Sequence, residues 1–219
     1  MTWADRIDTV ILDVDGTLVD SNYQHALAWY RAFRRFEITL PVWTIHRAIG
    51  MGGDQLVGHL TSERVERNHG DGLREAWSEE FEPMLGEVQA LPGVEDLLRA
   101  LRDRGLSVVL ASSGEARIVD VFLDLFNGRS LADDWTTSED AEHSKPAPDL
   151  VEVAMRKVSG QRAVMVGDST WDCVAATRAG LPSLAVRTGG FSPDELDEAG
   201  AEQVVDSLDE LRTLVTATE

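Results

Sequence analysis

The chain has 219 residues, of which 43% are hydrophobic, enough for one sizeable buried core and a small insertion. Its formal net charge at pH 7 is -19, which argues against nucleic acid or an anionic membrane surface as a partner. A phosphorylated substrate is compatible with this charge, because a metal ion and one or two cationic side chains can invert the local potential.

The first residues carry no targeting signal. The segment 1–6 lacks a basic region followed by an apolar run, and no stretch approaches about 18 consecutive apolar residues. We therefore expect a cytoplasmic protein without a membrane partner. Cys173 is the only cysteine, so an intrachain disulfide is excluded and a small buried side chain is expected there.

Two carboxylates follow the first apolar run of the chain. The run 10–12 leads directly into Asp13-Val14-Asp15-Gly16-Thr17. Residues i and i+2 of a strand point to the same side, and Gly16 allows a sharp turn beyond them. Asp13 and Asp15 should therefore converge on one site, where Mg²⁺ is the usual relief for two close like charges. The same pattern also occurs in Ca²⁺ loops and in plain turns.

The segment 21–90 is predicted to be helical. Asp20-Ser21 can cap a first helix, in which His25 and Trp29 share one face. Apolar side chains recur at helical spacing elsewhere on this helix: Tyr23, Leu27, Tyr30 and Phe33. Further helices are predicted over 42–49, 54–60 and 73–85, with a glycine-rich break at 50–53.

From residue 91 onward, strands alternate with helices. The predicted elements are helix 94–104, strand 107–111, helix 116–125, a strand near 135–137, helix 148–158, strand 163–167, helix 173–179, strand 183–186 and a strand–helix pair from 203. This order predicts an α/β fold, with a Rossmann-like parallel sheet, helices on both faces and an inserted all-helical cap. The expected domains are a core of residues 1–20 and 91–219 and a cap of residues 21–90.

Three more polar motifs lie where this fold would place a ligand, outside the carboxyl ends of the strands. Ser112-Ser113 ends one strand, Lys145 precedes the helix that begins near Pro148, and Asp168 and Asp172 follow another strand. Together with the first motif, they resemble the four motifs of the haloacid dehalogenase superfamily of phosphotransferases, and in particular its phosphoglycolate phosphatase and β-phosphoglucomutase-like members. The resemblance covers almost the whole chain and is weak over 37–90.

The resemblance implies a role for each catalytic residue. Asp13 would attack phosphorus and form an aspartyl phosphate, while Asp15 would act as general acid and then as general base. Mg²⁺ would be held by the Asp13 carboxylate, the Asp15 main-chain carbonyl and Asp168. Ser112 and Lys145 would stabilise the transferring phosphoryl group, although a serine there can simply cap the next helix and a lysine there can be solvated. Asp172 would orient a metal-bound water or the lysine.

Four residues are assigned to the substrate side of the site: Gly16, Ser113, His25 and Arg47. His25 resembles the cap histidine of β-phosphoglucomutase-like members, and a histidine satisfied at the interface of core and cap is the alternative. Arg47 could reach a second anionic group of the substrate or lie exposed on its helix.

The expected function is a Mg²⁺-dependent phosphatase acting on a small phosphorylated metabolite. A phosphosugar mutase is one alternative, although Gly53, Glu80 and Glu115 stand where the mutase would have cationic or polar anchors. A non-catalytic binding protein on the same fold is another, and it predicts a ruined catalytic position. The sequence carries no signal for an oligomeric state.

Overall fold

The computed structural model describes residues 3–217, which fold around a six-stranded parallel sheet. The strands are β1 (Thr9–Leu12), β2 (Ser107–Ala111), β3 (Asp134–Thr136), β4 (Ala163–Gly167), β5 (Ser183–Val186) and β6 (Ala201–Val205). They lie in the order β3-β2-β1-β4-β5-β6, so the direction of winding reverses between β1 and β4. Ligands of such sheets bind beyond the carboxyl ends of the strands at this reversal. The predicted α/β fold class is confirmed.

Twelve α-helices are present within residues 3–217. They are α1 (Trp3–Arg6), α2 (Asn22–Arg35), α3 (Val42–His46), α4 (Gly53–Leu60), α5 (Glu63–Phe81), α6 (Val94–Asp103), α7 (Ala116–Leu125), α8 (Gly128–Leu131), α9 (Asp149–Lys157), α10 (Thr170–Arg178), α11 (Pro193–Glu198) and α12 (Leu208–Thr216). Short 3₁₀ helices occur at Glu82–Glu87, Ser138–Asp140 and Arg187–Gly189. None of these described helices has the length and apolar character that a membrane crossing requires.

Both faces of the sheet are covered by helices. Along β1, Val10 and Leu12 join the larger apolar core, which includes side chains of α6, α7 and α12. Ile11 points the other way and packs with side chains of α9 and α10. Strands buried on both faces read as continuous apolar runs, which is why β1, β2 and β4 are visible in the sequence.

The helices α2 to α5 form a helical insertion between β1 and β2. The chain leaves and re-enters the core through two adjacent segments: the Asp20 amide donates to the Gln89 carbonyl at 2.9 Å, and the Leu91 amide donates to the Leu18 carbonyl at 2.9 Å. Within the insertion, α2 packs along α5. This arrangement places the start of α2 directly beyond the carboxyl end of β1.

Several predicted helices differ from the observed ones. The helix predicted over 73–85 begins ten residues earlier, at Glu63, and ends at Phe81, and the one predicted over 42–49 ends at His46. The buried side of α2 runs through Ala26, Trp29, Ala32 and Phe33. Tyr23 and Leu27, which the sequence groups with Phe33, lie instead toward the exposed side and are 57% and 39% exposed. Ser21 precedes α2 but makes no side-chain cap.

Candidate active site

A cavity of about 280 Å³ lies between the carboxyl end of the sheet and the helical insertion. Its inner wall carries four of the predicted site residues: Asp13, Asp15, Ser113 and Lys145. Its outer wall includes side chains of α2 and α5, namely His25, Trp29, Arg74 and Trp77. The three predicted strand-end motifs and the lysine thus meet at one place, since β2, β1 and β4 are neighbours in the sheet.

Lys145 is buried between two carboxylates. Its Nζ donates hydrogen bonds to Asp13 Oδ1 and, at 2.8 Å, to Asp172 Oδ1. Asp172 Oδ2 in turn accepts from the Ser169 hydroxyl at 2.6 Å and from the Ser169 amide at 3.1 Å. Burial opposes the charge of the ammonium, but attraction to Asp13 and Asp172 outweighs it and raises the pKa of Lys145. The solvated alternative for this lysine is therefore wrong, and Asp172 holds the lysine in place.

Asp13 and Asp168 are joined by a threonine. Thr17 Oγ1 lies 3.1 Å from Asp13 Oδ2 and 2.9 Å from Asp168 Oδ1, and its side chain is fully buried. Asn22, the first residue of α2, donates from Nδ2 to Asp168 Oδ2 at 2.8 Å. The helical insertion therefore contacts the carboxylate that follows β4 directly.

The buried carboxylates of the site lack enough positive charge. Burial raises the pKa of Asp13 well above its ordinary value, and the neighbouring Asp172 and Asp168 add to this effect against the opposing charge of Lys145. Burial and the nearby Asp172 likewise raise the pKa of Asp168 to about 7, despite the hydrogen bonds from Asn22 and Thr17. Close carboxylates with raised pKa values are typical of a site that a cation neutralises.

The residues present fit a hard divalent cation. Asp13, Asp168 and Asp172 each offer an oxygen, and these oxygens lie within 4.8 Å of one another. Carboxylate oxygens are the ligands that Mg²⁺ prefers. Because Asp172 already accepts bonds from Lys145 and Ser169, Asp13 and Asp168 are the carboxylates best placed to hold an ion.

The side chain of Asp15 turns away from that group. Its Oδ1 lies 2.8 Å from His25 Nε2 and accepts from Ser21 Oγ at 2.9 Å, while its Oδ2 accepts from Ser112 Oγ at 3.0 Å. Burial pushes the pKa of Asp15 upward, but the hydrogen bonds from His25, Ser21 and Ser112 hold it below its ordinary value. The carboxylate of Asp15 is thus engaged by three side chains of the protein, apart from the group of Asp13, Asp168 and Asp172.

The two serines after β2 have different surroundings. Ser112 Oγ is occupied within the protein, since it donates to Asp15 and accepts from the Gly114 amide at 2.9 Å. Ser113 lines the cavity, and its Oγ has no hydrogen-bond partner among residues 3–217. The structure thus brings Ser112 to Asp15 and leaves the buried hydroxyl of Ser113 without a partner among the described residues.

Of the remaining predicted residues, His25 and Gly16 lie at the site and Arg47 does not. His25 lines the cavity and contacts Asp15, with its ring stacked on Phe81 at 4.2 Å between centroids. Gly16 has φ of +78°, and a Cβ there would lie 2.4 Å from Asp168 Oδ2, so close packing explains the glycine. Arg47 is not brought into the group: it pairs with Glu195 and lies over the ring of Phe191 at 3.9 Å.

Several cavity residues were not predicted as site residues, among them Arg74, Trp77 and Glu142. Arg74 and Trp77 lie three positions apart on α5, so they share one face of the helix. Their spacing alone could not single them out, because the sequence does not show that this face of α5 lies over the end of β1.

Comparisons with known proteins agree with this arrangement. Residues 7–180 match a family model described as haloacid dehalogenase-like hydrolase. The pyrophosphatase PpaX of Oceanobacillus iheyensis is 24% identical over 95% of this chain and 97% of its own length. A plasmid-borne phosphoglycolate phosphatase of Cupriavidus necator is 29% identical over 94% of this chain and 92% of its own.

Among solved structures, a hydrolase from Pseudomonas syringae superposes with a TM-score of 0.87 at 32% identity, covering 93% of this chain and 95% of that one. The family model spans both carboxylate motifs, the serines and the lysine described above. The chain therefore belongs to the haloacid dehalogenase-like hydrolase family.

Proposed function

We propose that this protein is a Mg²⁺-dependent phosphatase that hydrolyses a small phosphate monoester through an aspartyl-phosphate intermediate. The observation that carries the proposal is the buried group of Asp13, Lys145 and Asp168 beside an independently held Asp15, all at the carboxyl end of the sheet. The family is one of hydrolases, and the relatives named as phosphatases support the reaction class.

In the first step, a carboxylate oxygen of Asp13 attacks phosphorus, and the bond from phosphorus to the ester oxygen breaks. Asp15 gives a proton to the departing oxygen. Its lowered pKa means that it must first gain that proton, and the arrival of a phosphate dianion favours this by repulsion. In the second step, water attacks phosphorus, Asp15 takes the proton of the water, and the bond to Asp13 breaks.

The other residues hold these two in place. Lys145 fixes one oxygen of Asp13 and supplies positive charge for the phosphoryl group, while Ser112 and His25 orient Asp15. Ser113 offers a free hydroxyl to the phosphoryl oxygens. Mg²⁺ held by Asp13, Asp168 and the Asp15 carbonyl would neutralise the negative charge that gathers there.

Asparagine variants of the two catalytic aspartates test the assignment. Asp13→Asn should show no phosphoenzyme and no turnover. Asp15→Asn should still form phosphoenzyme from p-nitrophenyl phosphate, whose leaving group needs no acid, and should then turn over slowly. Intact-protein mass spectrometry after rapid quenching distinguishes these states, and a phosphorylated Asp13→Asn protein would contradict the nucleophile assignment.

A mutase would need to keep a bisphosphate while it reorients. Glu115 lines the cavity, and a carboxylate there repels a second phosphate. We therefore expect no conversion of β-glucose 1-phosphate to glucose 6-phosphate, even after priming with the bisphosphate. A coupled assay for glucose 6-phosphate tests this, and rapid isomerisation would replace the phosphatase proposal with the mutase.

We further propose that residues 21–90 act as a cap domain over a catalytic core formed by residues 1–20 and 91–219, of which residues 1, 2, 218 and 219 lie outside the described range. The cap would select a small phosphorylated metabolite. The cytoplasmic location expected from the sequence stays a prediction.

A further inference from the structure

The basic side chains of the cavity wall are already paired within the protein. Among the described lining residues they are Lys145, His25 and Arg74. Lys145 lies between Asp13 and Asp172, and His25 contacts Asp15. Arg74, the cation of the outer wall, donates to Glu66 at 2.8 Å, to Asp71 at 2.8 Å and to the Gly53 carbonyl at 3.1 Å.

Three carboxylates of the cavity wall, Asp54, Glu115 and Glu142, are less well neutralised. Glu115 lies 3.3 Å from Arg117 Nε, but that arginine also pairs with Glu82. Asp54 accepts only from uncharged groups, the Ser144 amide and hydroxyl and a glutamine amide. Glu142 has no hydrogen bond or ion pair within residues 3–217. These three carboxylates therefore make their part of the cavity wall negative.

The same region presents an aromatic wall with an unused donor. Trp29 and Trp77 stack with centroids 5.6 Å apart, and both side chains line the cavity. Trp77 is 8% exposed, and its Nε1 has no acceptor among the described residues. An unpaired indole N–H suits a hydroxyl group as acceptor, and an aromatic face attracts a cation.

Resting on the proposed phosphatase function, we propose that the substrate is a phosphate monoester of a small amino alcohol or neutral polyol. Its alcohol portion carries no carboxylate or second phosphate. Lys145 and the metal would receive the phosphoryl group, and the carboxylates near the mouth, Asp54, Glu115 and Glu142, would repel an anion on the leaving group. The cavity volume of about 280 Å³ lies just below the range of about 300–1,000 Å³ that is usual for ligand sites, which restricts the alcohol to a small one.

Two matched series of esters test the proposal, each with one skeleton and three charges. The first is 2-aminoethyl phosphate, 2-hydroxyethyl phosphate and phosphoglycolate. The second is glucosamine 6-phosphate, glucose 6-phosphate and 6-phosphogluconate. With Mg²⁺ present, kcat/KM should fall from the amine to the neutral to the carboxylate member, with at least about a tenfold gap between the last two in one of the series.

Variants that each remove one cavity carboxylate test which residue causes the discrimination against a carboxylate ester. In Glu115→Gln and Glu142→Gln, the ratio of kcat/KM for the carboxylate ester to that for the neutral ester should rise about three- to tenfold. The matched control is Glu139→Gln, which lies on the same loop as Glu142 but outside the cavity wall. That control should leave the ratio at the wild-type value.

Calorimetric binding of the same six esters to Asp13→Asn with Mg²⁺ gives the order of affinity without turnover. A carboxylate ester that binds and reacts as well as its neutral partner in both series would overturn the proposal, while p-nitrophenyl phosphate hydrolysis would still support a phosphatase. Loss of p-nitrophenyl phosphate hydrolysis together with the expected binding order would instead contradict the catalytic function and leave the charge preference supported.

Discussion

The chain contains only two lysines, and they provide a matched test of the buried ion-pair group. Lys145 is 1% exposed at its side chain and donates to two buried carboxylates, whereas Lys157 is 26% exposed and pairs with Asp134 at 3.1 Å. Breaking a buried pair by removing one partner costs about 3–5 kcal/mol, while an exposed pair contributes about 0–1 kcal/mol. Lys145→Met should therefore lose about 3–5 kcal/mol of unfolding free energy, and Lys157→Met at most about 1 kcal/mol.

The stability lost in Lys145→Met should depend on pH, and the pKa shifts give the direction. The raised pKa of Lys145 means that its stabilising effect is present below pH 10.5, its unfolded value, and is lost as pH rises through the higher folded value. Asp13 has a raised pKa, so folded protein becomes less stable as pH rises from 3.8 through its folded value. Without the lysine, the pKa of Asp13 rises further. The loss in Lys145→Met should thus be larger at pH 7 than at pH 5.

Urea unfolding in EDTA at both pH values measures this. With a slope of roughly 3 kcal/mol per M, the midpoint of Lys145→Met at pH 7 should lie roughly 1 to 2 M below that of the wild type. Equal midpoints for the two lysine variants, or a loss in Lys145→Met that does not change between pH 5 and pH 7, would refute the reasoning.

Three further outcomes are expected. Mg²⁺ at about 100 times its Kd should stabilise the fold by about 2.7 kcal/mol, which raises Tm by roughly 5–10 °C. EDTA should abolish hydrolysis. An equal rise of Tm with Mg²⁺ in Asp168→Asn would contradict the metal site. His25→Phe keeps a ring against Phe81 but removes the contact with Asp15, so the pKa of Asp15 should rise. As a result, kcat should fall roughly 10- to 100-fold, and the acidic limb of the pH–rate profile should move to higher pH. His59→Phe is the control variant and should leave both unchanged. A Cβ at Gly189 would lie 1.8 Å from Asp168 Oδ2, so Gly189→Ala should lower Mg²⁺ affinity and activity at least about tenfold. In the control Gly86→Ala, the added Cβ has no atom within 4 Å, and activity should not change. Equal activity of the two variants would show that the backbone at Gly189 moves to accommodate the methyl group.

Strands and helices could be predicted from the sequence where their apolar residues form a clear pattern. The range 107–111 for β2 and the range 116–125 for α7 are confirmed to the residue, because their apolar patterns begin and end sharply. The start of α5 was missed because its first turns, from Glu63 to Asp71, are mostly polar and exposed and have no apolar periodicity. The α11 helix was missed although Ser192 and Glu195 form a capping box around Pro193, a signal that the sequence did contain.

The candidate site was predictable in the same uneven way. Asp13, Asp15 and Asp168 follow strands, and the carboxyl ends of neighbouring strands meet wherever the sheet forms. Some contacts of the predicted residues depend on how the insertion folds back. Ser112 bonds Asp15 because β1 and β2 are neighbours in the sheet, whereas the pairing of Arg47 with Glu195 across 148 positions in the chain depends on where α3 packs and leaves no local pattern.

The hydroxyl of Thr17 sets a constraint on the number of protons in the site. It lies within hydrogen-bonding distance of both Asp13 and Asp168, yet it has one proton to donate. Two full hydrogen bonds therefore require that one of the two carboxyl groups is itself protonated and donates to the threonine oxygen, since a single shared proton gives two weaker bonds. The pKa of about 7 for Asp168 makes that residue a suitable holder of the proton near neutrality.

A cation that enters between these carboxylates must displace that proton. If Mg²⁺ binds there as proposed, its uptake would be an exchange for H⁺, and its apparent affinity would increase as pH rises toward and through about 7. The enzyme would then respond to the acidity of its surroundings through its metal occupancy.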